Sequence, residues 1–155
     1  MRLDDLDRQI IAWLSRDARA SFRAIGEAVG LSAPAVKRRV DRLSDEGVIE
    51  RFTAVINPAA LGWSTEAFVE LFCTGRTPVT QIRSAVARVP EVVGAYTITG
   101  EPDALLHVRA SDTAHLEATL EKIRSEPFVV QTRSVVVLTR LLERQVPAVD
   151  EAVAE

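Results

Sequence analysis

The sequence has few of the residues that disulfides and metal sites use. It has one cysteine and two histidines in 155 residues, so no internal disulfide can form, and Cys73, His107 and His115 are not spaced as a zinc site requires. Cys73 ends an apolar run at 67–73, which predicts a buried, reduced thiol. The sequence also has no glycine-rich phosphate loop or nucleophile elbow. We therefore expect no metal, no cofactor and no enzymatic activity.

Aromatic residues and long hydrophobic runs are also scarce. Only 5% of the residues are aromatic, so the core must be mainly aliphatic. No apolar run approaches the roughly 18 residues of a membrane span. The start, MRLDD, is acidic where a signal peptide would be basic and then apolar. We expect a globular protein of the cytoplasm without membrane contact.

The formal net charge of −3 does not by itself suit a nucleic-acid partner. The charge is unevenly distributed, however. Residues 1–60 contain 10 Lys and Arg against 9 Asp and Glu, whereas residues 61–155 contain 9 against 13. Because net charge averages over domains with different partners, a DNA-binding N-terminal part remains compatible with these numbers.

Three short helices are predicted in the first 47 residues. The first begins at Asp4 or Asp5 and ends near 15–18, the second spans 22–29 after the cap Ser21, and the third follows Ser32 and ends at Gly47. Between the second and third lies the short connection Gly30-Leu31. Such a glycine-containing turn is what a helix-turn-helix requires.

The third helix has one apolar face and one largely cationic face. At 100° per residue, Val36, Val40 and Leu43 share the first face, while Arg38 and Arg42 project from the other. A solvated charged face would explain the helix alone equally well, but the adjoining turn favours DNA, with one arginine reading guanine and the other a phosphate. The predicted DNA-binding residues are Ser21, Arg23, Ser32, Ala33, Pro34, Ala35, Lys37, Arg38, Arg39 and Arg42.

Beyond Gly47 the pattern becomes that of strands. Residues 49–55 alternate with period two, which predicts a strand, and Gly62 is a candidate hinge. The order that follows is strand 66–74, helix 78–88, strand 92–99, strand 104–110, helix 112–125 and strand 128–139. This is a ferredoxin-like arrangement. Its strands are apolar on both faces although helices cover only one, so we expect the open face to meet another subunit.

Four motifs together resemble one family. They are LDRQI at 6–10, IGEAVGLS at 25–32, GVIERF at 47–52 and NPAALG at 57–62. In this order, ahead of a βαββαβ half, they are similar to the Lrp/AsnC family of leucine-responsive and asparagine-responsive regulators over about residues 3–143.

The resemblance implies an α+β fold, with an N-terminal winged-type helix-turn-helix domain joined by a strand linker to a C-terminal ferredoxin-like βαββαβ domain. The expected boundaries are 1–48 for the first domain, 49–63 for the linker, 64–145 for the second domain and 146–155 for a tail. The expected partners are a double-stranded DNA operator, a small effector, and further copies of the chain that form homodimers and then higher oligomers such as octamers.

The family's effectors are usually amino acids, held where two dimers meet, near a Gly-x-x-Asp loop. Gly100-Glu101-Pro102-Asp103 fits this loop, and Asp103 would accept the ligand ammonium. The alternative is that Gly100 and Asp103 only shape a turn. The expected effector-binding residues are Ile98, Gly100, Glu101, Asp103, Thr132 and Ser134.

Two other functions use the same architecture. Some relatives are tetrapyrrole decarboxylases whose DNA-reading half has degenerated, and the basic outer face of the third helix argues against that class. Shorter relatives are stand-alone metabolite-binding modules, and the intact first 60 residues argue against those.

Overall fold

The computed structural model describes residues 2–142. The tail expected at 146–155, and the last three residues of the domain expected at 64–145, lie outside this range. The chain divides into two compact units, and the division falls between Val55 and Ile56.

The N-terminal unit consists of three helices, as predicted. They are α1 (Asp5–Arg16), α2 (Phe22–Val29) and α3 (Ala33–Asp45). Their first turns are capped by the side chains of Asp4, Ser21 and Ser32, each of which accepts a hydrogen bond from a backbone N–H three residues on. The helices enclose an aliphatic core of Ile10, Leu14, Ile25, Val36 and Val40.

The strand predicted over 49–55 is wrong for this chain. No residue between 2 and 64 belongs to a strand, and the segment 51–57 has no regular structure. Period-two alternation specifies side-chain directions, but a strand also needs a neighbour for its hydrogen bonds. The apolar side chains of this segment remain in solvent, with Val55 84% exposed and Ile56 56% exposed.

The C-terminal unit contains the predicted βαββαβ order, with most elements slightly shorter than predicted. They are β1 (Thr65–Cys73), α4 (Val79–Val86), β2 (Val92–Tyr96), β3 (Ala104–Ala110), α5 (Thr113–Arg124) and β4 (Val129–Val136). The strands form one sheet in the order β2-β3-β1-β4, and each neighbouring pair is antiparallel. A short 3₁₀ turn, Pro58–Leu61, precedes the sheet.

The two faces of this sheet are packed differently. Ala67, Val69 and Leu71 of β1 are buried in a core shared with α4 and α5. The alternate residues of β1, among them Phe68 and Phe72, lie on the opposite face and are only half-buried. In register with Phe68 on this open face is Val135, which is 65% exposed. None of the described helices is long and apolar enough to span a membrane.

Candidate functional site

Helices α2 and α3 approach each other at a position where only glycine fits. A Cβ atom at Gly26 would lie 2.4 Å from the carbonyl oxygen of Leu31, which is far inside van der Waals contact. Gly30 ends α2 with a φ of 70°, a left-handed conformation that glycine adopts without steric cost. The sequence IGEAVGLS therefore specifies a tight turn, which carries the chain directly into α3.

The outer surface of α3 presents most of the predicted DNA-binding side chains. Pro34, Lys37 and Arg38 are exposed, while Ala33 and Ala35 are half-buried. Lys37 forms an exposed ion pair with Asp41 at 2.6 Å. Within the described residues, Arg38 is the one basic side chain of α3 without an ion pair.

The predicted DNA-binding residues Ser21, Arg23 and Ser32 form bonds within their own helices. Ser21 uses its hydroxyl oxygen to cap α2 by accepting a hydrogen bond from the N–H of Ala24, and Ser32 does the same for Ala35 at the start of α3. Arg23 is exposed and pairs with Glu27 one turn later at 3.0 Å. Such an exposed pair is weak, so the Arg23 guanidinium stays available to another anion.

Asp7 is a buried acidic residue that is not among the predicted site residues. Its side chain is 1% exposed, and its carboxylate accepts hydrogen bonds at 2.7 Å from both Arg39 and Arg42 of α3. Arg39 also donates to Asp4 at 2.8 Å. Arg42 is exposed, as its predicted position on the outer face requires, but its guanidinium is held by Asp7 of α1.

A signal for Asp7 was present in the sequence. Asp7 lies three and seven residues before Ile10 and Leu14, the two buried apolar residues of α1, so helical spacing places its carboxylate on the core face. An ionised group is expected on that face only if cations reach it. The arginines of α3 were the available cations.

The predicted effector loop lies beside the end of β1. One Asp103 carboxylate oxygen accepts a hydrogen bond from the N–H of Cys73 at 2.7 Å, and the N–H of Asp103 donates to the carbonyl of Leu71 at 2.8 Å. These bonds attach the loop after β2 to the end of β1. Asp103 thus has a structural role, whatever it contributes to ligand binding.

The expected effector residues do not all lie on one face of the sheet. Thr132 and Ser134 are in register with Leu71 and Val69 on the helix-covered face, and Thr132 accepts a hydrogen bond from Arg124 of α5. On the open face, Arg133 lies 4.8 Å from the ring centroid of Phe72 and 3.7 Å from the carboxylate of Glu101. Ile98 and Gly100 are exposed in the connection between β2 and β3.

Cys73 is half-buried, not fully buried as predicted. Burial raises the pKa of its thiol, and the nearby Asp103 carboxylate raises it further. Since only the thiolate is nucleophilic, both effects disfavour reactivity. The raised pKa agrees with the prediction that Cys73 is not a nucleophile.

Comparison with known proteins identifies both units. Residues 3–44 match the AsnC-type helix-turn-helix domain, and residues 66–147 match the Lrp/AsnC ligand binding domain. The chain belongs to the Lrp/AsnC family. As a member of that family it is a DNA-binding transcriptional regulator with an Lrp/AsnC ligand-binding domain.

The HTH-type transcriptional regulator Rv2324 of Mycobacterium tuberculosis is 55% identical to this Lrp/AsnC protein over 146 residues, which cover 94% of this chain and 99% of the relative. The relative is named as a regulator and not as an enzyme. This Lrp/AsnC chain is accordingly a regulator, and the decarboxylase alternative is set aside.

Solved structures of Lrp/AsnC proteins have the same fold. E. coli AsnC superposes with a TM-score of 0.90 at 22% identity, covering 94% of this chain and 99% of that one. The feast or famine regulatory protein Rv3291c of M. tuberculosis, complexed with L-methionine, superposes with a TM-score of 0.86 at 32% identity and the same coverage of 94% and 99%.

Proposed function

We propose that this regulator reads its operator with α3, and that Arg38 makes the principal contact to a base edge. The observation that supports this choice is the exposed Arg38 side chain, which has no ion pair within residues 2–142. Arg42 is instead held by Asp7. A free guanidinium can bond guanine O6 and N7 bidentately without first breaking an internal bond.

The residues around Arg38 serve contact with the backbone of DNA. Ala33, Pro34 and Ala35 are small enough at the start of α3 to let the helix approach the major groove. Ser21, Arg23, Ser32 and Lys37 supply hydroxyls and cations for phosphates. Arg39 and Arg42 keep part of their side chains exposed, 24% and 45% respectively, and contribute positive potential while they position α3.

The effector is a small molecule, and we propose an amino acid with an apolar side chain. This rests on the ligand-binding family match and on the related M. tuberculosis protein complexed with L-methionine. The loop that contains Gly100, Glu101 and Asp103 is one place for it, between dimers. Glu101 and Asp103 are exposed, and one Asp103 oxygen stays available for an ammonium after the bond to Cys73.

We also propose that the chain forms a homodimer and higher oligomers built from that dimer. The open face of the sheet carries half-buried Phe68 and Phe72 and the exposed side chain of Val135. A second copy of the chain would remove this apolar surface from water. A dimer would also present two α3 helices to a two-fold symmetric operator.

The DNA-binding proposal is tested by Arg38→Ala. The operator is first obtained by selection from random duplexes, and affinities are then measured by fluorescence anisotropy at several salt concentrations. If Arg38 reads a base, its removal should weaken operator binding by about 1–3 kcal/mol and relax preference at one base pair. Arg83→Ala removes an exposed arginine of α4 and should leave the base preference unchanged.

Two other results are informative. A loss of about one unit of salt slope with unchanged base preference would assign Arg38 to a phosphate. Operator binding by Arg38→Ala with the affinity, preference and salt slope of the parent would contradict the placement of α3 in the groove.

A further inference from the structure

A cavity of about 250 Å³ lies within the C-terminal unit, away from the loop that contains Asp103. It is bounded by the segment before β1, by the residues that open β2 and by one arginine of β3. Its walls are formed by Ile56, Pro58, Leu61, Trp63, Pro90, Glu91, Val93 and Arg109. None of these residues is among the expected effector-binding residues.

Glu91 brings an incompletely bonded carboxylate to this cavity. Its side chain is 7% exposed, and its Oε1 atom accepts from His115 at 2.9 Å and from Lys122 at 3.0 Å. His115 Nδ1 accepts from the N–H of Ser111, which leaves the ring proton on Nε2 to be donated to Glu91. Oε2 is buried and has no hydrogen-bond partner among the described residues.

The carboxylate of Glu91 is ionised at neutral pH. Burial alone would raise its pKa, but the hydrogen bonds from His115, from its own backbone and from Lys122 lower the pKa to about 2. A buried anionic oxygen without a donor is costly. Oε2 is thus suited to accept a hydrogen bond from a cationic or N–H-bearing ligand.

Arg109 contributes a cationic hydrogen-bond donor to the same cavity. Its Nε atom is buried and without a partner among residues 2–142, and its Nη2 atom lies 3.8 Å from a carboxylate oxygen of Glu66. The backbone N–H of Arg109 donates to the carbonyl of Glu91 at 2.8 Å, so the two side chains originate from neighbouring positions. Glu91 and Arg109, each with one buried atom that has no partner among the described residues, therefore line one cavity.

The remaining walls are apolar and aromatic. Trp63 is half-buried, and its ring lies 5.8 Å from that of His115. The volume is somewhat below the roughly 300–1,000 Å³ of pockets for drug-sized ligands, which suits a molecule the size of one amino acid. A ligand here needs a cationic end, an anionic end and an apolar side chain.

We propose that this cavity binds an apolar α-amino acid within one protomer, with its ammonium on Glu91, its carboxylate on Arg109 and its side chain against Trp63. This deepens the effector proposal above and rests on it. The site is distinct from the loop of Asp103, so one chain would carry two places for an effector.

Trp63 provides a direct reporter. The chain has two tryptophans, so Trp13→Phe leaves Trp63 as the only one. In that background, titration of the full-length protein with L-methionine, L-leucine and L-phenylalanine should give a saturable change in emission for at least one of them. Glu91→Gln and Arg109→Gln should each weaken the response at least about tenfold, since each removes a charge-assisted bond.

Calorimetry separates the cavity from the loop. Asp103→Asn keeps a turn-forming residue and removes the charge, and it should leave the Trp63 response intact. If Asp103→Asn abolishes all binding while Glu91→Gln and Arg109→Gln bind like the parent, the cavity proposal is overturned and the effector function stands. If none of the twenty amino acids gives heat or a Trp63 response, both effector proposals fail, while operator binding remains a separate test of the DNA-binding function.

A third variant tests the cavity without changing Glu91 or Arg109. Leu61 is 66% exposed at the rim, so Leu61→Trp should fill the cavity without a folding penalty and abolish the calorimetric signal of this site. Unchanged ligand binding by Leu61→Trp would overturn the proposal. So would an altered dimer dissociation constant with unaltered ligand affinity, because the cavity would then receive a side chain of a second copy.

Discussion

At the scale of single residues, Asp7 determines how α1 holds α3. A carboxylate that is 1% exposed is stable as an anion only with close cations, and Arg39 and Arg42 both reach it at 2.7 Å. Asp7 also closes the first turn of α1 through its reciprocal bonds with Asp4. One side chain therefore links a helix cap, the core of the N-terminal unit and the orientation of α3.

We expect Arg42→Ala to destabilise the N-terminal unit by about 1–3 kcal/mol, because the buried Asp7 carboxylate would keep only one of its two arginine partners, Arg39. The value lies below that of a fully buried pair because Arg42 is 45% exposed. The measurement is thermal and denaturant unfolding. Asp7→Ala combined with Arg42→Ala should cost less than the sum of the single variants, since the two residues interact.

The control is the exposed pair on the same helix. Lys37 and Asp41 are 61% and 52% exposed, and removing them should change stability by no more than about 0.5 kcal/mol. Equal losses from both pairs, or additive effects at Asp7 and Arg42, would contradict the structural role of Asp7.

At the scale of elements, one predicted strand is not formed although its sequence pattern is as regular as those of the elements that are formed. The predicted helices and the βαββαβ order are confirmed, since caps, glycines and prolines act locally. The strand predicted over 49–55 is not formed, although its alternation is regular. Helices satisfy their hydrogen bonds within the segment, whereas a strand depends on a neighbour that this chain does not provide among residues 2–64.

Gly26 is the residue that sets the approach of α2 to the turn. We expect Gly26→Ala to lower the stability of the N-terminal unit by about 1–3 kcal/mol, although alanine favours helix, because its Cβ would meet the Leu31 carbonyl at 2.4 Å. Chemical denaturation measures the change. Ala28→Leu adds volume on the exposed side of α2 and serves as the control, with little effect expected. A stabilised Gly26→Ala variant would show that the turn accommodates the methyl group.

At the scale of the whole molecule, the sheet of the C-terminal unit is covered on one face only. The helix-covered face contains the aliphatic core. The open face combines half-buried phenylalanines with an acidic and basic cluster, in which Glu66 accepts from Arg140 at 2.7 Å and contacts His107. Such a mixed face is compatible with an interface that has an apolar centre and a polar rim.

We expect Val135→Glu to dissociate the oligomer, because it would place an unpaired charge on that face, directly opposite Phe68. Sedimentation of the full-length chain should show the dissociation constant raised by at least about a hundredfold. Val79→Glu, at a comparably exposed position of α4 (59% against 65%), should leave the assembly intact. A parent chain that sediments as a monomer would remove the basis of the interface proposal.

The sequence by itself determined the helices, the order of the C-terminal elements, the apolar face of α3 and the family, because these depend on short-range signals: caps, periodicity and motifs. Only the tertiary structure decided which cation of α3 is free. Arg38 and Arg42 are equivalent in sequence spacing, and they differ because Asp7, 35 residues before Arg42, reaches one of them.

The two candidate effector sites differ in the same way, since one can be found in the sequence and the other only in the folded chain. The Gly-x-x-Asp loop was visible as four consecutive residues, but Trp63, Glu91 and Arg109 are far apart in the chain and carry no shared motif. Packing brings them to one cavity and leaves the Glu91 and Arg109 side chains without their full complement of partners. Whether a polar group is satisfied depends on everything packed around it, and that information exists only once the chain is folded.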